Sequence, residues 1–269
     1  MGSEDALATP IDDNPTPVRQ SEAMPATPAW PPKSLPRLYV RQALGEGARV
    51  ELVAAQANYL GNVMRMKEGA ELLLFDGSSG EWLGRVADAG KKRMALTVER
   101  RTREPETIPD VWLAFAPVKR RQTDWLVEKA TELGVARLIP GTTQRTVVER
   151  VKLERLQAIA IEAAEQCGRT RLPDIDEPVP LARLLEDRET SRMLYFADEA
   201  GGDAAADAFK PGAAMILTGP EGGFTDHERS AIRAAPNAQA VSLGPRILRA
   251  ETAALAALAA YMALAGDWR

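Results

Sequence analysis

Hydrophobic and polar positions divide the chain into two halves with different periods. From Leu38 to about Arg103 short apolar alternations are cut by turn residues: Leu38–Val40, Arg49–Leu52, Glu71–Phe75, Glu81–Val86 and Met94–Val98. Period-two runs of this length predict five strands. Asp76–Gly80 reads as a hairpin loop and Ala55–Met66 as a single helix, so this half is expected to form a small β-barrel.

After Glu104-Pro105-Glu106 the period changes. Strands are expected at Val111–Ala116, Ala136–Pro140, Met193–Phe196, Ala214–Leu217 and Ala238–Leu243. Helical spacing covers Gln122–Leu133, Val151–Cys167, Thr225–Ala235 and Ala250–Ala265, and Gly134 and Gly168 stand where a helix needs a left-handed closing residue. Strands alternating with helices imply an α/β fold with a mostly parallel sheet. Residues 1–32, rich in Pro, Ala, Asp and Thr and without period, are expected to be a flexible tail. The chain therefore divides into a tail (1–32), a barrel (33–104) and an α/β domain (105–269).

Composition narrows the function. A hydrophobic content of 45% fits a globular core, and the single cysteine, Cys167, excludes an internal disulfide. No His/Cys cluster has zinc-ligand spacing, so no metal is expected. The chain opens without a secretory signal, and its longest apolar run, Thr252–Ala265, is shorter than the roughly 18 residues a membrane span needs. A buried helix and a reducing, cytoplasmic setting follow. The net charge of −4 hides an asymmetry: residues 33–103 carry thirteen basic and eight acidic groups, whereas residues 104–269 carry twenty basic and twenty-five acidic. A basic barrel suits an RNA partner.

Two stretches carry the chemistry. Leu217-Thr218-Gly219-Pro220-Glu221-Gly222-Gly223-Phe224 joins an apolar strand to a helix, where ligands of open α/β sheets bind. Its glycines allow backbone to approach a flat ligand, although a tight turn explains them equally well. The spacing fits neither the dinucleotide nor the phosphate-loop pattern. Thr225 and Glu228 form a capping box, and His227 between acidic neighbours reads as a surface residue. The second stretch, Val241–Ala253, is a strand, a Gly-Pro turn and an Ala-rich helix, with Arg246, Arg249 and Glu251 at the joint. A guanidinium there offers planar paired donors, while Glu251 suits the helix dipole.

These loops, with Asp124–Gly134, Ile161–Pro173 and Pro36–Val40, resemble the uridine N3-methyltransferase family of the small ribosomal subunit, methyltransferase E, over about residues 36–265. The resemblance implies a SPOUT trefoil-knot methyltransferase domain preceded by a PUA-like barrel, S-adenosylmethionine as cofactor, and a uridine, position 1498 in the usual numbering, of 16S rRNA in the small subunit as substrate. It also implies a homodimer. Cofactor contacts then fall on Leu217, Thr218, Gly219, Pro220, Glu221, Gly222, Gly223, Leu243, Gly244, Ile247, Leu248 and Thr252. The chain departs from many relatives at Asn58-Tyr59, where they carry a His-His pair, and at Lys119–Gln122, where they carry a Lys-Gly type turn.

Transfer of a methyl from a sulfonium to nitrogen is a direct displacement, so Cys167 is not needed as a nucleophile and is expected to be packed. Loss of the uracil N3 proton places charge on the flanking carbonyl oxygens, which an arginine stabilises. Arg249 is the first choice, then Arg169 and Arg171; Glu221 or Glu165 is available as the base. Phosphate contacts are expected from Arg37, Arg41, Arg65, Lys67, Lys91, Lys92, Arg93 and Arg171. The alternatives are a ribose 2′-O-methyltransferase, whose Asn-x-Gly-x-x-x-Arg motif is not found, and a non-catalytic assembly factor that has kept the fold.

Overall fold

The computed structural model describes residues 35–90, 93–148 and 150–268. The expected tail, with Lys91 and Lys92, therefore lies outside the described residues. Strands β1 (Arg37–Tyr39), β2 (Arg49–Glu51), β3 (Glu71–Phe75), β4 (Glu81–Ala89) and β5 (Met94–Arg103) form one sheet in the order β1-β3-β4-β5-β2. β1 runs parallel to β3 and the other pairs are antiparallel. Three register shifts between β4 and β5 let the sheet curl. It curls around Leu38, Val40, Leu72, Leu74, Leu96 and Val98. The expected helix Ala55–Met66 is shorter and irregular: α1 (Ala54–Asn58) widens into a π-helical turn over Tyr59–Val63. Gly61 at its centre weakens the regular helix.

The second sheet is built from β6 (Val111–Phe115), α2 (Arg120–Glu132), β7 (Arg137–Thr142), α3 (Leu153–Cys167), β8 (Asp174–Ile175), β9 (Val179–Pro180), α4 (Leu181–Asp187), β10 (Met193–Ala197), β11 (Asp203–Ala204), α5 (Ala205–Ala208), β12 (Ala214–Thr218), α6 (Asp226–Ala234), β13 (Ala238–Ser242) and α7 (Ala250–Leu264). The order is β11-β13-β10-β12-β6-β7-β8, every pair is parallel, and β9 adds to the end of β7. The two-residue strands are too short to show a period, which is why the sequence pattern passes over them.

Both faces of this sheet are apolar, as a parallel sheet requires. Val111, Leu113, Phe115 and Ile216 meet α2, α3 and α7 through Leu126, Leu156, Ala254 and Leu258. Ala114, Ile139, Phe196 and Leu217 meet α4 and α6 through Leu184 and Ile232. The apolar run of α7 is thus spent inside the fold, with Ala254, Leu258 and Met262 at 0% exposure. Among the described residues no helix is long and apolar enough to cross a membrane.

Barrel and α/β domain meet at the end of α3. Gly168 closes that helix in the left-handed region (φ 87°), leaving carbonyls without helical partners. Arg37 meets part of this need: it donates to the carbonyls of Glu165 (3.1 Å), of Ala164 (2.6 Å), which Gly168 N also reaches, and of Arg169 (2.7 Å) beyond the helix, while pairing with Glu81 at 2.8 Å. Arg103 donates to Gly168 O at 2.5 Å and also pairs with Glu81.

Candidate functional site

Parallel strands end together, so the loops that follow β13, β10 and β12, three neighbours in the sheet, gather at one edge. They enclose a cavity of about 520 Å³. The glycine-rich loop supplies Thr218, Gly219, Pro220, Glu221, Gly223 and Phe224; the loop after β13 supplies Leu243, Gly244, Pro245, Arg246, Ile247, Leu248 and Arg249. The helix after that loop contributes Ala250 and Ala253.

The glycine loop is a tight turn as well as a wall. Gly223 N donates to Pro220 O at 2.9 Å, and Gly223 takes φ +66°. That left-handed φ favours glycine, and a Cβ there would stand 2.5 Å from Glu199 Oε1, so the end of the Glu199 side chain would have to move. The turn runs into α6 through a complete capping box: Thr225 Oγ1 accepts from Glu228 N at 3.2 Å, and Glu228 Oε2 accepts from Thr225 N at 2.9 Å. His227 is exposed on that helix and does not line the cavity.

Arg249 stands at the mouth as the N-terminal cap residue of α7. It is exposed and its guanidinium has no partner among the described residues. Glu221, on the glycine-rich loop, is exposed and lines the same cavity. Ile247, an apolar side chain at 90% exposure, overhangs the same space. Bare backbone, Pro220, Leu243 and Leu248 below, and free charges at the rim suit a flat, partly apolar ligand with polar edges.

Three residues expected at the site line no part of the cavity. Leu217 is buried against α6 in the opposite core. Gly222 faces outward, where Arg145 covers it. Thr252 is exposed, because α7 starts at Ala250 and turns Ala250 and Ala253, not Thr252, toward the cavity.

Sequence reasoning missed the third wall. Asp198, Glu199, Ala200 and Gly201 follow β10 and line the cavity with Arg229 of α6. Asp198, whose side chain is 0% exposed, accepts from Arg229 (3.0 Å), Arg233 (2.7 Å) and Ala200 N (3.0 Å). Burial alone would raise its pKa, but these donors outweigh it and hold the carboxyl below its usual range. β10 itself was legible, but that its loop borders the cavity follows from its place between β13 and β12 in the sheet, which no local pattern carries.

Arg169 does not reach the cavity. α3 carries the chain back to the opposite edge of the sheet, where Asp174 pairs with Arg137 at the start of β7. Arg169 is 5% exposed there and donates to Thr131 O (2.8 Å), Val135 O (3.1 Å) and Glu106 (3.4 Å). It is a core arginine, kept from the cavity by the chain's path. Glu165 is likewise occupied, accepting from Tyr39 N at 2.9 Å; burial, ahead of that hydrogen bond and of Arg37, raises its pKa. Cys167 is exposed as a residue instead of packed, yet its neighbours desolvate the sulfur and push the thiol pKa up.

The basic residues separate in the same way. Arg37 is sealed in the seam, its side chain 4% exposed, so the expectation that it meets phosphate gives way to a structural role. Arg41, Arg65, Lys67, Arg93 and Arg171 are exposed. Arg41 lines a second cleft of about 780 Å³ between barrel and α3, with Tyr39, Asp76, Arg137 and Gln157. Among the described residues no group of three or more acidic, His or Cys side chains has metal-site geometry.

Comparison with known proteins agrees in extent and in kind. Residues 104–262 match the model of an RNA methyltransferase domain and residues 54–99 that of an RNA methyltransferase PUA domain. The chain is 32% identical over 228 residues to ribosomal RNA small subunit methyltransferase E of Rickettsia conorii, covering 83% of this chain and 93% of that protein. It is 36% identical to the Synechocystis protein of the same name, covering 81% and 74%. The crystal structure of the Neisseria gonorrhoeae protein of that name, bound to S-adenosyl methionine, superposes with a TM-score of 0.80 at 30% identity, over 87% of this chain and all of that one.

Proposed function

The chain belongs to the ribosomal RNA small subunit methyltransferase E family, and from that premise we propose that it methylates N3 of a uridine in the 16S rRNA of the small ribosomal subunit. It is an S-adenosylmethionine-dependent RNA methyltransferase, a SPOUT-type domain behind a PUA-like barrel. The observation that carries the reading is the cavity at the ends of β10, β12 and β13, with Arg249 at its mouth and unpaired among the described residues.

The residues present fit the cofactor. Thr218, Gly219, Pro220 and Gly223 offer backbone that no side chain screens, and Leu243, Ile247 and Leu248 offer apolar contact to a flat ring. When bound, the cofactor supplies an electrophilic methyl on a sulfonium. The protein's own residues do the rest. Arg249 donates to the uracil carbonyl oxygens and stabilises the charge left when N3 loses its proton. Glu221, exposed on the glycine-rich loop, accepts that proton. The displacement is direct, so no covalent enzyme intermediate is needed. Arg41, Arg65, Lys67 and Arg171, exposed on the barrel and beyond α3, hold RNA phosphates while the base is splayed out to present its pairing edge.

The same reading includes a trefoil knot, a homodimer and a cytoplasmic place of action. For the knot, the support is that the loop after β13 lines the cavity beside the loops of β10 and β12, and that α7 then packs on β12, β6 and β10. For the dimer, α2 and α7 pack together and leave Trp125 (44%), Leu264 (39%) and, just beyond, Trp268 (49%) exposed. Labelled methyl from S-adenosylmethionine, offered to small subunits lacking the modification, to large subunits and to transfer RNA, is expected to enter 16S rRNA. Label in another RNA would overturn the substrate class.

A further inference from the structure

Arg145, on the loop that follows β7, lines no part of the cavity. Its Nη1 donates to Gly222 O at 2.5 Å. Its stem lies flat on the same glycine, so that a Cβ at Gly222 would stand 3.2 Å from Arg145 Cδ and 3.4 Å from Cβ. The residue before it is anchored as well: Gln144 N donates at 2.7 Å to Glu228 Oε1, the capping-box carboxylate whose other oxygen holds Thr225 N. Burial alone would raise the pKa of Glu228, but hydrogen bonds from Thr225 N and Gln144 N hold it below the carboxylate range, so both bonds act on an anion. On the other side of the turn, Glu199 occupies the space beside Gly223 and is tied to Arg229 at 3.3 Å. Two adjacent glycines are therefore gripped from opposite directions, Gly222 by the β7 loop and Gly223 by the β10 loop.

A glycine pair has the widest conformational freedom of any dipeptide, and a ligand that uses its backbone must bear the cost of ordering it. A grip that orders the turn beforehand removes that cost. We infer that Arg145 is a positioning residue for the cofactor: it fixes the Pro220–Gly223 turn in its binding geometry without touching the ligand. This rests on the cofactor site proposed above.

The experiment is a double-mutant cycle read by calorimetric S-adenosylmethionine binding to the full chain, with Arg145→Met, Gly222→Ala and the pair. Arg145→Met keeps the packing stem and removes the donor, and is expected to weaken binding about tenfold, the size of one lost charge-assisted hydrogen bond. Gly222→Ala brings a methyl to 3.2 Å from Arg145 Cδ, so that the arginine must give by a few tenths of an ångström, and is expected to weaken binding by less than Arg145→Met. The pair should cost less than the sum of the two changes, since both act on one contact. Arg145→Lys should recover part of the affinity, and the thermal midpoint without cofactor should stay within about 2 °C, because Arg145 is an exposed loop residue. Ile247→Asp, at an exposed position inside the cavity, tests the underlying reading. If Ile247→Asp binds normally, the cavity is not the cofactor site and the inference falls with it. If Ile247→Asp loses binding while Arg145→Met does not, or if the cycle is additive, only the role of Arg145 falls.

Discussion

The cavity edge and the seam between the two domains both rely on arginine, and they use it in opposite ways. Arg249 at the cavity is exposed and unpaired among the described residues. Arg37 and Arg169 at the seam are each about 95% buried and bonded to carbonyls and carboxylates. The seam arginines answer a local need: α3 ends with carbonyl groups that its own backbone cannot satisfy, at the negative end of the helix dipole. An arginine that follows a helix C-terminus is therefore a poor guide to RNA contact. One that caps a helix N-terminus beside a strand-end cavity, against the dipole and without a partner, is poorly placed for stability and well placed for a ligand.

The sharpest way to break this contrast is Arg249→Ala. Turnover is expected to fall by roughly 10²–10³, the size seen when a donor to developing negative charge is lost. Cofactor affinity, measured by calorimetry, should remain within about twofold. Normal turnover would remove Arg249 from the reaction.

Arg37→Ala tests the other side. It leaves Glu81, 4% exposed, with Arg103 and the Thr102 hydroxyl, and removes the donor to the carbonyls of Ala164, Glu165 and Arg169 at the end of α3, where Arg103 still holds Gly168 O. Breaking a buried pair of this kind costs about 3–5 kcal/mol, so the thermal midpoint should drop by roughly 10 °C. Residual activity at low temperature should keep its cofactor affinity. A midpoint within about 2 °C of the parent would show that the seam arginine is dispensable.

Gly223→Ala strains the glycine turn whether or not cofactor is bound. Alanine in the left-handed region costs about 1–2 kcal/mol, so the thermal midpoint should fall by a few degrees, and cofactor affinity should fall, by about tenfold at most, as far as the turn relaxes out of its binding geometry.

The smallest effect separates two carboxylates of the seam. For Glu81 burial acts to raise the pKa, but Arg37 and Arg103 outweigh it and the folded value is lowered. Its stabilisation is present above the unfolded pKa and is lost as pH falls through the folded one, in the acid range. Glu165 is shifted upward by burial, so its contribution has the opposite sign: the protonated form favours folding, and stability declines as pH rises through its folded pKa. Glu165→Gln keeps an acceptor for Tyr39 N and removes the buried charge. It should raise the midpoint at neutral pH by about 1–2 °C and leave it unchanged well below the unfolded pKa. A lower midpoint at neutral pH would mean that the charge itself holds the seam.

What the sequence made legible follows from range. Period and turn chemistry are local, so the long strands, α2, α3, α6, α7 and the two loops at Leu217–Phe224 and Leu243–Arg249 could be read directly. The third wall at Asp198–Gly201 depends on β10 lying between β13 and β12, an order no local pattern carries. Arg169 was misread because its fate is set by Thr131 and Glu106, 38 and 63 residues away. Arg37 was misread because its partners on α3 lie more than 120 residues on. Arg145 escaped notice because its contact with Gly222 spans 77 residues. Charge pattern alone does not distinguish an arginine that meets solvent from one that meets a helix end.

The most direct test of the whole account is nucleoside analysis of 16S rRNA from modification-deficient small subunits after incubation with the protein and S-adenosylmethionine. The expected product is 3-methyluridine at a single position. A 2′-O-methyl nucleoside, or methyl transfer to another base, would contradict it.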